Sequence, residues 1–196
     1  FLRDFNKRGE IPAYNAMIPL ISGEYFIILP DDHLVPSNVF DAIDLLRGPT
    51  FANRKFKITT LASGPEPCRL PPSFGPMYHP DWPALPPYLV MRFPVAETAC
   101  VKEHMEGCIF NKSLTSKFGD NVLGYYLGTN GEPGIECSSV KLQCMPESNG
   151  IQQQYKVFDY LMKDMAPKMF SSCYMQAVRF LRIYEKGLSY HVNWDQ

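Results

Sequence analysis

The stretch Tyr25-Phe-Ile-Ile-Leu29 is apolar at every position, and it constrains the fold more than any other feature of the chain. A strand with one solvated face alternates between apolar and polar residues. An unbroken apolar run instead suits a strand covered on both faces, the setting of a mostly parallel sheet flanked by helices. The run leads into Pro30-Asp31-Asp32-His33, which sets two adjacent carboxylates at the strand's carboxyl end. In open α/β sheets that edge is where ligands bind. The same residues also make an ordinary polar turn ahead of a helix, and both readings stand at this point.

The elements that follow alternate as an α/β chain should. Pro36 to Leu46 places Val39, Phe40, Ile43 and Leu46 at helical spacing, with Ser37 or Asn38 as the expected cap. Strands are expected over Phe56 to Leu61, Tyr88 to Phe93 and Val140 to Met145. A short helix is expected over Thr98 to Glu106 and a longer one from Gly119 to Leu127, with Asp120 in its first turn. Between Gly64 and Pro87 lie nine of the chain's 18 prolines. So many residues without a backbone donor exclude a helix or a central strand there. This segment reads as a loop, either an aromatic flap over a site or a plain surface connection. Beyond it, 151–165 and 168–186 both carry helical periodicity and are separated by Pro167. The second shows a stripe of Phe170, Cys173, Tyr174, Ala177, Phe180, Leu181 and Tyr184, the pattern of a packing face. A core over 1–145 and a helical extension over 146–196 are the expected divisions.

The chain has 196 residues, 45% apolar and 20% charged, with a net charge of -1. Such a chain buries a sizeable core and carries no polybasic footprint for nucleic acid. No apolar run approaches the ~18 residues of a membrane span. Phe1 to Glu10 is largely polar and basic, unlike a secretory leader, so a cytoplasmic location is expected, with peripheral membrane attachment left open. The six cysteines show no CxxC spacing, which argues against a zinc knuckle and suits free thiols in a reducing compartment. Neither Cys100 nor Cys108 has flanking residues that would activate a thiolate. Ser22, Ser73 and Ser113 lack a nucleophile-elbow setting. His79, His104 and His191 carry no motif.

Asn15-Ala-Met-Ile-Pro-Leu-Ile-Ser-Gly-Glu-Tyr-Phe-Ile-Ile-Leu-Pro-Asp-Asp-His-Leu-Val-Pro36 resembles the central segment of family 2 glycosyltransferases of the GT-A fold. There, an asparagine and a helix ending in Gly-Glu-Tyr lead into a hydrophobic strand, an acidic metal motif and a nearby proline. Downstream, Gly107-Cys-Ile-Phe-Asn-Lys-Ser-Leu-Thr-Ser-Lys-Phe-Gly-Asp-Asn-Val-Leu-Gly124 is similar to the family's second signature, in which an aspartate opens a helix. The resemblance covers about residues 10 to 145 and implies a GT-A-like, Rossmann-like core. It implies that Asp32 is the metal-binding carboxylate, that Asp31 beside it joins Asp32 in binding the nucleotide sugar, and that Asp120 is the catalytic base. Mn2+ or Mg2+ would be the cofactor, a nucleoside-diphosphate sugar the donor, and a saccharide or other hydroxyl the acceptor. Asp120 also suits a plain helix cap. His33 would add a nitrogen ligand only if it turned toward the same side as its neighbour.

Three departures from the family pattern are visible. Pro30 stands where many members have an acidic residue, Gly119 where many have a glutamate, and Tyr14 where an arginine often precedes the asparagine, leaving Lys7 or Arg8 to meet the donor phosphate. The strands that hold the nucleotide base in the family lie upstream of the matched segment, so a longer parent chain is expected. Two other functions compete: a sugar-phosphate nucleotidyltransferase, which needs a basic glycine-rich loop that these residues do not show, and a non-catalytic module of the same fold that binds carbohydrate or a partner.

Overall fold

The computed structural model describes residues 10–29, 33–64, 66–69, 88–112, 114 and 119–144. Strands β1 (Tyr25–Ile27), β3 (Ile58–Ala62), β4 (Pro94–Glu97) and β5 (Ile135–Lys141) form one sheet in the order β1-β4-β3-β5, and β2 (His33–Leu34) pairs with β6 (Gln143–Cys144) in a second ribbon. The helices among the described residues are α1 (Glu10–Met17), α2 (Asp41–Arg47), α3 (Thr98–His104) and α4 (Gly119–Thr129). The architecture is α/β with a mixed, partly parallel sheet. The expectation of a mostly parallel sheet needs correcting, since β4 runs antiparallel to both of its neighbours and only β3 and β5 pair in parallel. Because β4 reverses twice over, β1, β3 and β5 nonetheless point the same way, and their carboxyl ends share one edge.

Both faces of the sheet are covered, as the unbroken apolar run required. Phe26 and Ile28 join Ile58 and Ala96 in a core shared with α1, α3 and α4. On the other face Leu61, Val95 and Cys137 pack with Val39, Ala42 and Leu46 around α2, and Tyr25, Ile27 and Leu29 lie against that cluster. The strand β3 is buried at all of its positions, although it contains two threonines. Their hydroxyls are satisfied in place: Thr59 donates to the Ile135 carbonyl at 2.8 Å, and Thr60 accepts the Phe93 amide at 3.1 Å. This meets the requirement that buried polar groups be bonded.

Several local expectations shift. The helix expected from Pro36 begins at Asp41, after turns, because the Asn38 amide is held by the Ser139 carbonyl (2.9 Å) and the Asp41 carboxylate (3.2 Å) instead of capping. Phe40 therefore falls out of phase with the buried face and is 69% exposed. The strand expected over Tyr88 to Phe93 starts only at Pro94, a residue tolerated at the first position of a strand. The preceding stretch instead lies extended along α4: Met91 donates to the Asp120 carbonyl at 3.1 Å, and Val90 to the Cys68 carbonyl at 2.8 Å. Gly124 and Gly128 make this approach possible, since a Cβ on either would collide with the Leu89 carbonyl or the Tyr88 ring. The last strand begins earlier than expected, at Ile135. After α1 the chain tightens into a 3-10 turn over Ile18–Leu20, where Pro19 lacks the donor that would continue the α-helix.

Among the described residues no helix is long and apolar enough to cross a membrane. Cys68, Cys100, Cys108 and Cys137 are free thiols, as expected from their spacing. The division at residue 145 and the helices expected over 151–165 and 168–186 lie outside the described residues, as does most of the proline-rich segment.

Candidate functional site

The site expected from the two acidic motifs belongs at the edge where β1, β3 and β5 end and the antiparallel β4 begins. Beyond β1, the Ile28 amide still donates to the Pro94 carbonyl at 3.0 Å. Residues 30–32 follow, so Pro30, Asp31 and Asp32 lie outside the described residues. The chain is described again at His33, whose ring centroid lies 4.9 Å from that of Phe93 and whose backbone pairs with Cys144. The residues that flank the two aspartates, Ile28 and His33, thus both rest on the adjacent pair Phe93 and Pro94.

Asp120 stands on α4, whose buried residues belong to the core shared with α1 and α3, whereas Phe93 belongs to the cluster around α2. The aspartate stands in the first turn of α4, half-buried, and its Oδ1 accepts the Asn121 amide at 2.9 Å. A carboxylate at a helix amino end is favoured by the unpaired N–H groups and dipole there, although Asp120 is the second residue of α4 and not the cap that precedes it. Its main-chain carbonyl holds Met91, two residues before Phe93.

The two motifs are also joined at their beginnings. Asn15 on α1 donates through Nδ2 to the Phe110 carbonyl at 2.7 Å and accepts the Phe110 amide through Oδ1 at 3.1 Å, both buried. This amide clamps the second motif to the helix that opens the first. Gly107, which leads the second motif, has φ +70°, and Glu106 before it φ 53°. These left-handed residues let the Cys108 amide reach the Met105 carbonyl at 2.9 Å, reversing the chain toward Phe110. Replacing Asn15 by Leu leaves a buried N–H and C=O without partners, at about 1–3 kcal/mol each. The expected result is a loss of about 3 kcal/mol in urea-unfolding free energy, with Asn15→Asp also destabilising because it cannot donate to the Phe110 carbonyl.

The Gly-Glu-Tyr step before β1 is held by side chains from both faces. Thr98 Oγ1 donates to the Gly23 carbonyl at 2.7 Å, and Arg47 donates to Glu24 at 2.8 Å. Arg47 also lies over the Tyr25 ring, 5.0 Å from its centroid. The pair with Glu24 is exposed and contributes little stability. It orients the entry to β1.

The remaining candidates divide clearly. His104 is exposed on α3 with its ring edge toward Phe56, while His79, His191, Lys7, Arg8, Ser73 and Ser113 lie outside the described residues. Burial pushes the Cys100 thiol up to about 11 and raises that of Cys108, the opposite of thiolate activation. An open cleft of about 270 Å³ lies between α1 and the loop around Cys108 to Leu114. Its polar groups Asn15 and Lys112 are committed to Phe110 and Glu106. Among the described residues no three His, Cys, Asp or Glu side chains cluster as a metal site. Sequence reasoning missed Phe93 and Met91, which contact the His33 ring and the Asp120 carbonyl. No local pattern marks such residues, whereas Asn15 already stood at the head of the first motif.

Comparison of the chain with protein-family models, with curated proteins and with solved structures finds no match. Among the described residues, the half-buried Asp120 carboxylate at a helix amino end is a group that can accept a proton.

Proposed function

We propose that the chain carries part of the catalytic core of a metal-dependent, inverting glycosyltransferase of the GT-A fold. It would move a sugar from a nucleoside-diphosphate donor to an acceptor hydroxyl. What supports this reading is the order of the two sequence motifs, together with the buried Asn15 amide that clamps the second to the helix opening the first.

The donor set fits the cofactor by chemistry. Magnesium and manganese take one or two carboxylates and complete their shells with phosphate and water, so Asp32 would hold the ion, with Asp31 beside it toward the nucleotide. When bound, the ion neutralises charge on the departing diphosphate. Asp120 takes the proton from the acceptor hydroxyl as that oxygen attacks the anomeric carbon from the face opposite the diphosphate. Its placement on a helix anchored to the sheet holds the base in one orientation, which is the geometric requirement for proton transfer.

Titration calorimetry on the full-length protein with UDP, GDP and dTDP, with and without Mn2+, tests this. One diphosphate is expected to bind in a Mn2+-dependent manner, and Asp32→Ala to weaken that binding by about 100-fold, the upper range for loss of a group that supports a metal. Binding that ignores both Mn2+ and Asp32 would remove the metal from the mechanism. Metal-dependent binding without transfer to any acceptor would leave a binding module.

A further inference from the structure

Arg92 stands apart on the stretch that leads into β4. Every other residue from Leu89 to Ala96 is buried, and Arg92 is exposed. Its two neighbours divide between the cores: Met91 packs with α1, α3 and α4, and Phe93 with the cluster around α2. The chain therefore crosses the end of the sheet at Arg92, which leaves this side chain in solvent at that end instead of in either core. The mount is rigid. Met91 donates to the Asp120 carbonyl at 3.1 Å, and Arg92 to the Val90 carbonyl at 3.0 Å. Phe93 donates to Thr60 Oγ1 at 3.1 Å, and its carbonyl accepts the Leu61 amide at 3.1 Å. Among the described residues the guanidinium itself makes no hydrogen bond or ion pair.

The residues on either side connect this arginine to the proposed reaction. Met91, before it, is held by the Asp120 carbonyl. Phe93, after it, lies 4.9 Å from the His33 ring, and the next residue, Pro94, accepts the Ile28 amide. We propose that Arg92 binds a phosphate of the nucleoside-diphosphate donor, an inference that rests on the reaction proposed above. The charge balance calls for such a group, because one divalent ion held by carboxylates does not neutralise a diphosphate. Arginine brings a permanent positive charge and a fork of parallel N–H donors that matches phosphate geometry. The sequence pattern left Lys7 or Arg8 for this part. The fold supplies a cation whose backbone is fixed on both sides, so only the side chain must be ordered when the phosphate binds.

Titration calorimetry on the full-length protein with UDP, GDP, dTDP and inorganic pyrophosphate, each with and without Mn2+, tests the assignment through Arg92→Gln and Arg92→Lys. Because the side chain is exposed, both variants are expected to unfold at the wild-type temperature. Arg92→Gln is expected to weaken binding of the diphosphate by about 10- to 100-fold, the loss for charge-assisted bonds to a phosphate. Arg92→Lys is expected to recover part of that loss by restoring the charge. Unchanged affinity in Arg92→Gln would overturn the assignment and leave the proposed reaction standing. Weakened binding that comes with a lowered unfolding temperature, and that Arg92→Lys does not relieve, would overturn it as well by making Arg92 a structural residue. Wild-type protein that binds none of the four probes would overturn both the assignment and the reaction.

Discussion

Gly124→Ala is expected to destabilise the protein by about 3 kcal/mol, the upper end of the usual range for overpacking. A Cβ at position 124 would lie 1.8 Å from the Leu89 carbonyl oxygen and 3.0 Å from its carbon. Both are backbone atoms, so no rotamer change relieves the contact. Either α4 or the segment entering β4 must move, and the bond between Met91 and the Asp120 carbonyl is lost with it. Helix propensity alone predicts the opposite sign, a gain of about 1 kcal/mol for Gly to Ala in a helix interior. Urea unfolding therefore distinguishes the two directly. Gly119→Ala is the control: its Cβ would meet Ile11 Cδ1 at 2.9 Å and Phe110 Cδ1 at 3.1 Å, ends of side chains that can yield. A change within about 1 kcal/mol is expected there. Equal stability for wild type and Gly124→Ala would show that 88–91 does not lie on this face of α4.

Asp120→Asn is expected to lower sugar transfer by about 10²- to 10⁴-fold, the usual contribution of a general base, while leaving donor binding unchanged. The substitution keeps the shape, and an asparagine oxygen still accepts the Asn121 amide that Asp120 receives at 2.9 Å. The carbonyl that holds Met91 is unaffected because it is main chain. Only the charge and the capacity to take a proton disappear. The loss of the favourable interaction with the helix dipole costs stability of about 0.3–1 kcal/mol, too little to unfold a sound domain. Turnover measured beside thermal unfolding separates the roles. Full activity in a folded Asp120→Asn protein would assign Asp120 to capping alone, and unfolding without a separable kinetic defect would do the same.

Much of the local structure was legible in the sequence. The helix over Thr98–His104, the helix opening at Gly119 with Asp120 in its first turn, and the buried strand ending at Ala62 all follow from spacing and composition within a dozen residues. The covering of β1 followed from its apolar run, with Phe26 and Ile28 buried on one face and Tyr25, Ile27 and Leu29 half-buried on the other. Phe40 and the stretch Tyr88 to Phe93 were misread for one shared reason. Each has a local pattern that suits a regular element, but a distant partner claims it first: Ser139 takes the side chain expected to cap α2, and the glycine face of α4 takes the residues that look like a strand. The acidic motif and Asp120 were visible as residues, whereas the bonds of Ile28 to Pro94 and of Met91 to Asp120 were not, because each joins partners far apart along the chain.

The sequence by itself determined which segments are buried and which side chains could carry chemistry. These depend on short-range periodicity and on the nature of each side chain. Only the tertiary structure decided strand order and direction. It placed β4 antiparallel between β1 and β3, and so set the entry to β4 beside the end of β1. Pairing direction arises from contacts between residues many positions apart, and no window of neighbouring residues contains that information.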